Sequence, residues 1–307
     1  MELIRGCGAA RRPAHGSVLT IGAYDGLHLG HQALLQRLGG HSRRLALPAV
    51  LCTFEPLPRE YLVPQDPPAR LTSLRERWRI LATQPVDYLW LLRFGEALRN
   101  LSGEAFAQLL ARELQPRVVV VGHDFRFGKN GQGTVALLAE QGRRLGFEVD
   151  VQEPVLRDGE RISSSAVRAA LDRGDFASAE RALGRPWSMR GRVRPGQQLG
   201  ADLGFPTANL PLERRRAPVA GIFAVRVHVD GGGARAGVAS LGTRPTVGGG
   251  EALLEAHVFD FADDLYGREI EVEFVAKLRD EERFASLGAL AAQMRVDAAE
   301  ARRILKV

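Results

Sequence analysis

The chain has 307 residues, 45% of them hydrophobic and 25% charged, which supplies apolar material for two folded domains and argues against disorder. Its two cysteines, Cys7 and Cys52, lie in separate segments without C-x-x-C spacing, which argues against a disulfide framework or a zinc knuckle and suits a cytoplasmic setting. The net charge of +6 comes from scattered arginine clusters without an aromatic stacking pattern, and no apolar run reaches membrane-spanning length, so neither nucleic acid nor a membrane is expected as a partner.

Residues 1–17, broken by Arg5, Arg11, Arg12, Pro13 and glycines, lack the continuous apolar core of a signal peptide. The run Val18 to Ile21 then reads as a buried strand, and a helix is predicted from Gln32 to Leu38. Between them lies Gly22-Ala23-Tyr24-Asp25-Gly26-Leu27-His28-Leu29-Gly30-His31. Strand, glycine-broken loop and helix start form the unit that brings polyphosphate to a helix N-terminus, where unpaired N–H groups favour anions. His28 and His31 can add N–H donors there. The same pair could instead be surface histidines beside an ordinary βα turn, or zinc ligands, although no third ligand lies at a suitable spacing.

Further strands are expected at Ala46 to Phe54, Tyr88 to Leu92, Val118 to Gly122 and Phe147 to Val151, with helices at Leu74 to Ala82, Gly103 to Leu114 and Thr134 to Leu145. Gly146 reads as a C-cap of the last. This alternation predicts an α/β domain with a parallel sheet covered by helices. Three segments in it can carry chemistry. Thr53-Phe54-Glu55-Pro56-Leu57-Pro58 follows a strand, at the sheet edge where such folds bind ligands. Gly122-His123-Asp124-Phe125-Arg126-Phe127-Gly128-Lys129 fails as a P-loop, because its glycines are one residue too far apart and Asn130 stands where Ser or Thr is needed. There Phe125 and Phe127 could flank a flat ring or pack under the loop, and Asp124 could fix the loop or meet a ribose hydroxyl. Arg161-Ile162-Ser163-Ser164-Ser165-Ala166-Val167-Arg168 opens a helix predicted over 166–171, with Arg168 one turn beyond Ser164 to add a forked cation to the same anion.

Past Leu183-Gly184-Arg185-Pro186-Trp187, the expected boundary between domains 1–184 and 185–307, the texture changes. Gly191 to Val193, Ile222 to Val229, Ala234 to Ser240, Leu253 to Phe261 and Glu269 to Leu278 alternate apolar and polar positions between glycine or proline turns, which predicts a small antiparallel barrel or sandwich. Helix follows, with Phe284, Leu287, Leu290, Ala291 and Met294 at helical spacing, and Asp297 with Glu300 reads as an N-cap and capping-box acid.

These segments, in this order, resemble the motifs of the bacterial bifunctional riboflavin kinase/FAD synthetases. Gly22 to His31 is similar to that family's G-x-F-D-G-x-H-x-G-H, with Tyr24 for the usual phenylalanine, and Thr53 to Pro58 to its T-F-x-P-H-P, with Leu57 for histidine. Val121 to Gly128 resembles V-G-x-D-F-x-F-G, and Ile162 to Arg168 resembles I-S-S-T-x-I-R. Gly204-Phe205-Pro206-Thr207-Ala208-Asn209 matches G-F-P-T-A-N, preceded by Gly200-Ala201 where the family often has Gly-Arg. Gly242 to Thr246, Leu254 to Phe261, Asp264 to Gly267 and Leu278 to Phe284 resemble G-x-R-P-T, V-E-x-H-x-x-D-F, D-L-Y-G and L-R-x-E-x-x-F.

The resemblance implies a Rossmann-like nucleotidylyltransferase domain followed by a riboflavin kinase barrel with C-terminal helices, acting on riboflavin, FMN, FAD and ATP with Mg²⁺. For adenylyl transfer it implies His28 and His31 as catalytic groups, nucleotide contacts from Gly22, Tyr24, Asp25, Gly26, Gly30, Ser163, Ser164 and Arg168, and flavin or loop roles for Phe54, Pro56, Asp124, Phe125 and Phe127. For the kinase it implies Glu255 as general base, with a solvated strand glutamate as the plainer reading and His257 undecided. Gly204, Pro206, Thr207, Asn209 and Arg279 would meet nucleotide or flavin, and Thr207 and Asn209 the metal.

Overall fold

The computed structural model describes residues 1–8, 12, 13, 15–196, 200, 203–212, 214–243 and 252–307. Ala201 and Arg244 to Thr246 lie outside the described residues. The chain forms two compact units, Met1–Pro68 with Arg77–Ser163, and Ala69–Glu76 with Ser164–Val307.

The first unit holds strands β1 (Glu2–Arg5), β2 (Ser17–Ile21), β3 (Ala49–Glu55), β4 (Tyr88–Arg93), β5 (Pro116–Gly122) and β6 (Glu148–Gln152) in one sheet of order β1-β4-β3-β2-β5-β6. Every pairing is parallel, as expected. Helices α1 (Leu29–Leu45), α2 (Leu74–Leu81), α3 (Gly103–Leu114) and α4 (Val135–Leu145) connect the strands; α2 passes into this unit at Arg77. Because both faces are covered, the strands are apolar at successive positions. Leu19, Ile21, Val119 and Val121 enter one core, and Val18, Val118 and Val120 the other. The strand order reverses at β2, which lies between β3 and β5. Its carboxyl end is the switch point where open α/β sheets bind ligands, and Gly22 to His31 leaves from there.

Gly103 to Leu114 has the expected bounds, Ser102 and Thr134 cap α3 and α4, and Gly146 ends α4 in the left-handed region at φ 86°. The helix expected over 32–38 instead runs from Leu29 to Leu45, through Gly39 and Gly40. Gly39 is retained by packing, since a Cβ there would lie 2.7 Å from Pro85. Edge strand β1, which pairs Glu2 to Arg5 with Tyr88 to Leu91, escapes the sequence reading because it is short and ends in polar residues.

In the second unit, α5 (Ser164–Asp172) and α6 (Phe176–Leu183) precede strands β7 (Ser188–Arg192), β8 (Ala208–Pro211), β9 (Gly221–Val229), β10 (Ala234–Thr243), β11 (Ala252–Val258) and β12 (Glu269–Arg279). The antiparallel order is β8-β11-β10-β9-β12-β7. A bridge between Arg194 and Asn209 joins the two edges and nearly closes the barrel. Asp230 and Gly231, at φ 48° and 78°, form the tight β9–β10 turn. Helix α7 (Leu287–Leu305), capped by Ser286, is one continuous helix, so the expected plural C-terminal helices are corrected to one. The cap expected at Asp297 is likewise overturned: Asp297 lies inside α7, 5% exposed, and receives both forks of Arg279.

The compact units do not coincide with the division at residue 184. Phe176 of α6 packs with Trp187, Phe223 and Phe274 in the core of the barrel unit, at ring separations of 6.4, 5.9 and 5.9 Å. Residues 69–76 join the same unit through a buried ion pair. Ser73 and Glu76 form a reciprocal capping box at the start of α2. The Glu76 carboxylate also accepts both contacts of Arg214 Nη2, at 2.9 and 2.6 Å, and the Arg190 N–H at 2.8 Å. These side chains are only 2% and 9% exposed for Arg214 and Glu76. Replacing Glu76 with alanine leaves Arg214 buried and uncompensated, and is expected to cost about 3–5 kcal/mol of stability, read as a lowered urea midpoint followed by barrel tryptophan fluorescence.

Candidate active sites

The first site is the turn after β2. Tyr24 and Leu27 adopt left-handed φ angles of 49° and 47° on either side of Gly26 at 82°. Tyr24 is held despite that cost because it is buried and its hydroxyl donates to Thr20 Oγ1 at 2.5 Å, while Thr20 donates to the Val120 carbonyl at 2.8 Å. Burial pushes the Tyr24 hydroxyl pKa upward, and the Thr20 hydrogen bond offsets only part of that. The Tyr24 ring centroid lies 4.9 Å from that of His31. His31 in turn stacks on His28 with centroids 3.7 Å apart and planes at 20°. His28 caps α1, its Nδ1 accepting the His31 N–H at 3.3 Å. His31 Nδ1 is buried without a hydrogen-bond partner. Burial, and then the neighbouring His28, push the His31 pKa well below 6.5, so His31 is neutral at physiological pH and meets a ligand as an imidazole. Gly30 accommodates a close approach, since a Cβ there would stand 3.1 Å from the His28 ring and 3.6 Å from the Ile162 carbonyl. The Ile162 carbonyl therefore lies beside the histidine turn within this unit, and Asp25, in the same turn, is 2% exposed.

The neighbouring loops separate contact residues from packing residues. Phe54 is 8% exposed and meets Phe94 edge-on at 5.8 Å, and Phe127 is 7% exposed against Phe106. Both pack in the core of this unit, beside the loops for which flavin or loop roles are expected. Phe125 covers Phe127 at 5.4 Å with planes at 16° and is the more exposed of that pair. Arg161 donates to Asp124 at 2.5 Å, tying the two loops together. Burial alone would raise the Asp124 pKa, but the hydrogen bond and charge of Arg161 outweigh it and hold the carboxyl below its ordinary value. The Glu55-Pro56 bond is cis, and Leu57 is buried at the start of a helical turn, Pro58–Leu62. Arg77, which sequence reasoning missed, donates to the Ala23 carbonyl, Thr53 and Glu55.

In the second unit, Ser164 opens α5 and Arg168 Nε donates to the Ala69 carbonyl at 2.6 Å. The barrel contains a cavity of about 370 Å³ whose walls include Phe205, Asn209, Glu255, Arg279, Phe284 and Met294. Glu255 sits on β11 in register with Asn209 on one side and Ser240 on the other, and it lines this cavity, whose walls mix apolar side chains with polar and charged ones. Arg279 lies 5.6 Å over the Phe284 ring and is fixed by Asp297, a partner the sequence reading missed. Glu281 lines the same cavity, and burial followed by the charge of Glu255 raises its pKa. His257, undecided from sequence, donates through Nδ1 to the Pro206 carbonyl at 2.8 Å and anchors the Gly204 to Asn209 segment, in which Gly204 has φ 83°. A second cavity of about 260 Å³ includes Pro206, Phe261 and Tyr266, and Thr207 lines both cavities. Asn209 Oδ1 is buried without a partner beside that shared wall. Among the described residues no group of three or more His, Cys, Asp or Glu side chains could hold a metal ion.

A parallel sheet with a histidine turn at its switch point, followed by an antiparallel barrel around a carboxylate, defines a two-site chain of nucleotide-dependent transferase type. Two family models match it: FAD synthetase over residues 10–166 and riboflavin kinase over residues 183–305. Bifunctional riboflavin kinase/FMN adenylyltransferases from Escherichia coli K12 and Pseudomonas fluorescens are each 45% identical over 98% of this chain and 97% of their own length. That of Haemophilus influenzae is 41% identical over 97% of both chains. The chain belongs to the family of bifunctional riboflavin kinase/FMN adenylyltransferases. A crystal structure described as a macrolide-efflux protein from Streptococcus pneumoniae is 31% identical, with a TM-score of 0.79 over 98% of both chains. Among the described residues no helix is long and apolar enough to cross a membrane.

Proposed function

We propose that residues 185–307 phosphorylate riboflavin to FMN and residues 1–184 adenylylate FMN to FAD, both from ATP and in the cytoplasm. The observation that carries the kinase reading is the Glu255 carboxylate in the wall of the barrel cavity, with Thr207 lining both that cavity and a second one. The larger cavity suits the isoalloxazine ring and the smaller the nucleotide. Glu255 accepts the proton of the riboflavin 5′-hydroxyl as that oxygen attacks the γ-phosphorus of ATP, and ADP leaves.

Thr207 and Asn209 fit Mg²⁺, because a hard cation seeks oxygen ligands and the Asn209 Oδ1 is buried and unpartnered. Bound there, Mg²⁺ supplies charge neutralisation at the phosphates. Asn209→Ala is expected to raise the Mg²⁺ concentration needed for half-maximal riboflavin phosphorylation by about tenfold or more, while FAD formation from supplied FMN keeps its Mg²⁺ dependence.

In adenylyl transfer an FMN phosphate oxygen attacks the α-phosphorus of ATP and pyrophosphate leaves. The nucleophile is already an anion, so catalysis rests on alignment and on charge stabilisation by His28 and His31. Gly22, Tyr24, Asp25, Gly26 and Gly30 shape that turn. Ser163, Ser164 and Arg168 are assigned to ATP phosphate, and Pro56, Asp124 and Phe125 to the loops that border FMN. Incubation of the purified chain with riboflavin, ATP and Mg²⁺, with FMN and FAD separated by chromatography, is expected to show FMN first and then FAD. Absence of both products overturns the reading.

A further inference from the structure

We infer that Arg77 is a positioning residue for adenylyl transfer, acting on His31 through the Ala23-Tyr24 backbone; this rests on the reading of the histidine turn given above. Arg77 is 1% exposed, yet it is not spent on one carboxylate. Nη1 donates to the Ala23 carbonyl at 2.9 Å and to Thr53 Oγ1 at 3.1 Å, and Nη2 donates to Glu55 at 2.9 Å. Thr53 itself donates to the Ala23 carbonyl at 3.2 Å. One guanidinium therefore joins the loop after β2 to the end of β3, the two chain segments that leave the ligand edge of the sheet side by side.

The bonded carbonyl belongs to the peptide that precedes Tyr24, the residue held at φ 49°. A side-chain-bearing residue keeps that conformation only where its surroundings over-determine it. Here the peptide is fixed at one end by Arg77 and the ring at the other by Thr20. Between the two anchors the Tyr24 ring takes the place from which it meets His31. The planar fork is essential to this role, since a point-charge ammonium cannot serve acceptors on two loops in fixed directions. Glu55 offsets the buried charge. The arrangement leaves Arg77 no part in the barrel cavity, which it does not line.

The test uses the full chain, with Arg77→Met and Arg77→Lys assayed separately for FMN to FAD and riboflavin to FMN in the presence of ATP and Mg²⁺. Arg77→Met is expected to lower kcat for FAD formation about 100-fold, the loss that misplacing a reacting group by about 1 Å produces. KM for ATP should change by less than about threefold, Arg77→Lys should recover only part of kcat, and riboflavin phosphorylation should stay within about twofold. As a readout independent of activity, the His31 imidazole resonances, assigned with His31→Gln, should shift in Arg77→Lys, which retains charge and bulk. Unchanged His31 resonances in Arg77→Lys, or FAD formation in Arg77→Met within threefold of the parent, overturns the inference. If the parent chain makes no FAD, the reading of the first site fails instead, and the resonance comparison still decides whether Arg77 governs His31.

Discussion

Replacing His28 with alanine is expected to lower FAD formation by about 100- to 1,000-fold, the cost of deleting one aligned donor to developing charge, while FMN accumulates from riboflavin. The expectation follows from where the ring sits: stacked on His31 at 3.7 Å, buried, and capping the N-terminus of a 17-residue helix. Alanine also removes the α1 cap, at a cost of roughly 0.5–2 kcal/mol. His28→Asn separates the two effects, since asparagine caps well but lacks the imidazole. Both variants should lose FAD formation, and only alanine should lower the unfolding midpoint. Chromatography of the products from riboflavin, ATP and Mg²⁺ decides it, and FAD output equal to the parent's removes His28 from the site.

The complementary loss is expected at Glu255. Glu255→Ala should reduce FMN formation by about 100- to 10,000-fold, the range for loss of a positioned general base, yet leave FAD synthesis from supplied FMN intact. Glu255→Gln preserves the shape of the β11 side chain next to Asn209 and tests the base alone. If the glutamine variant phosphorylates riboflavin at the parent rate, Glu255 is a solvated strand residue and not the base. The two variants together also test the proposed independence of the sites: a mixture of the His28 and Glu255 variants should make FAD from riboflavin, because each supplies the step the other lacks.

The sequence made the sheet legible because β2, β3 and β5 are buried on both faces and carry unbroken apolar runs. The barrel was legible through alternation, most clearly in β9 and β12. Helix α1 was under-read because Gly39-Gly40 looks like a break, and only contact with Pro85 explains the glycine. The motif residues of the first site could be found because a turn at a switch point needs glycine and polar groups close together in sequence. Their supports could not. Arg77 lies 54 positions from Ala23 and 24 from Thr53, and nothing local separates it from the other arginines of α2. At Asp297 the local pattern pointed the wrong way: a carboxylate three residues before Glu300 mimics a cap, but tertiary pairing with Arg279, 18 positions earlier, decided its place. Phe54 and Phe127, expected in flavin or loop roles, pack in the core of the first unit, since aromatic residues in a loop motif serve packing as readily as ligand contact.

The cavity around Glu255 takes part of its wall from Leu290, Met294 and Asp297 of α7. Synthesis delivers those residues after every strand of the barrel, whereas the histidine turn belongs to a unit whose last residue is Ser163. Chains fold from the amino end as they emerge, so the sheet that carries the histidine turn can be assembled while the barrel still lacks the last wall of its cavity. The histidine turn can therefore be in place first, while the cavity around Glu255 remains unfinished until residue 297 has left the ribosome.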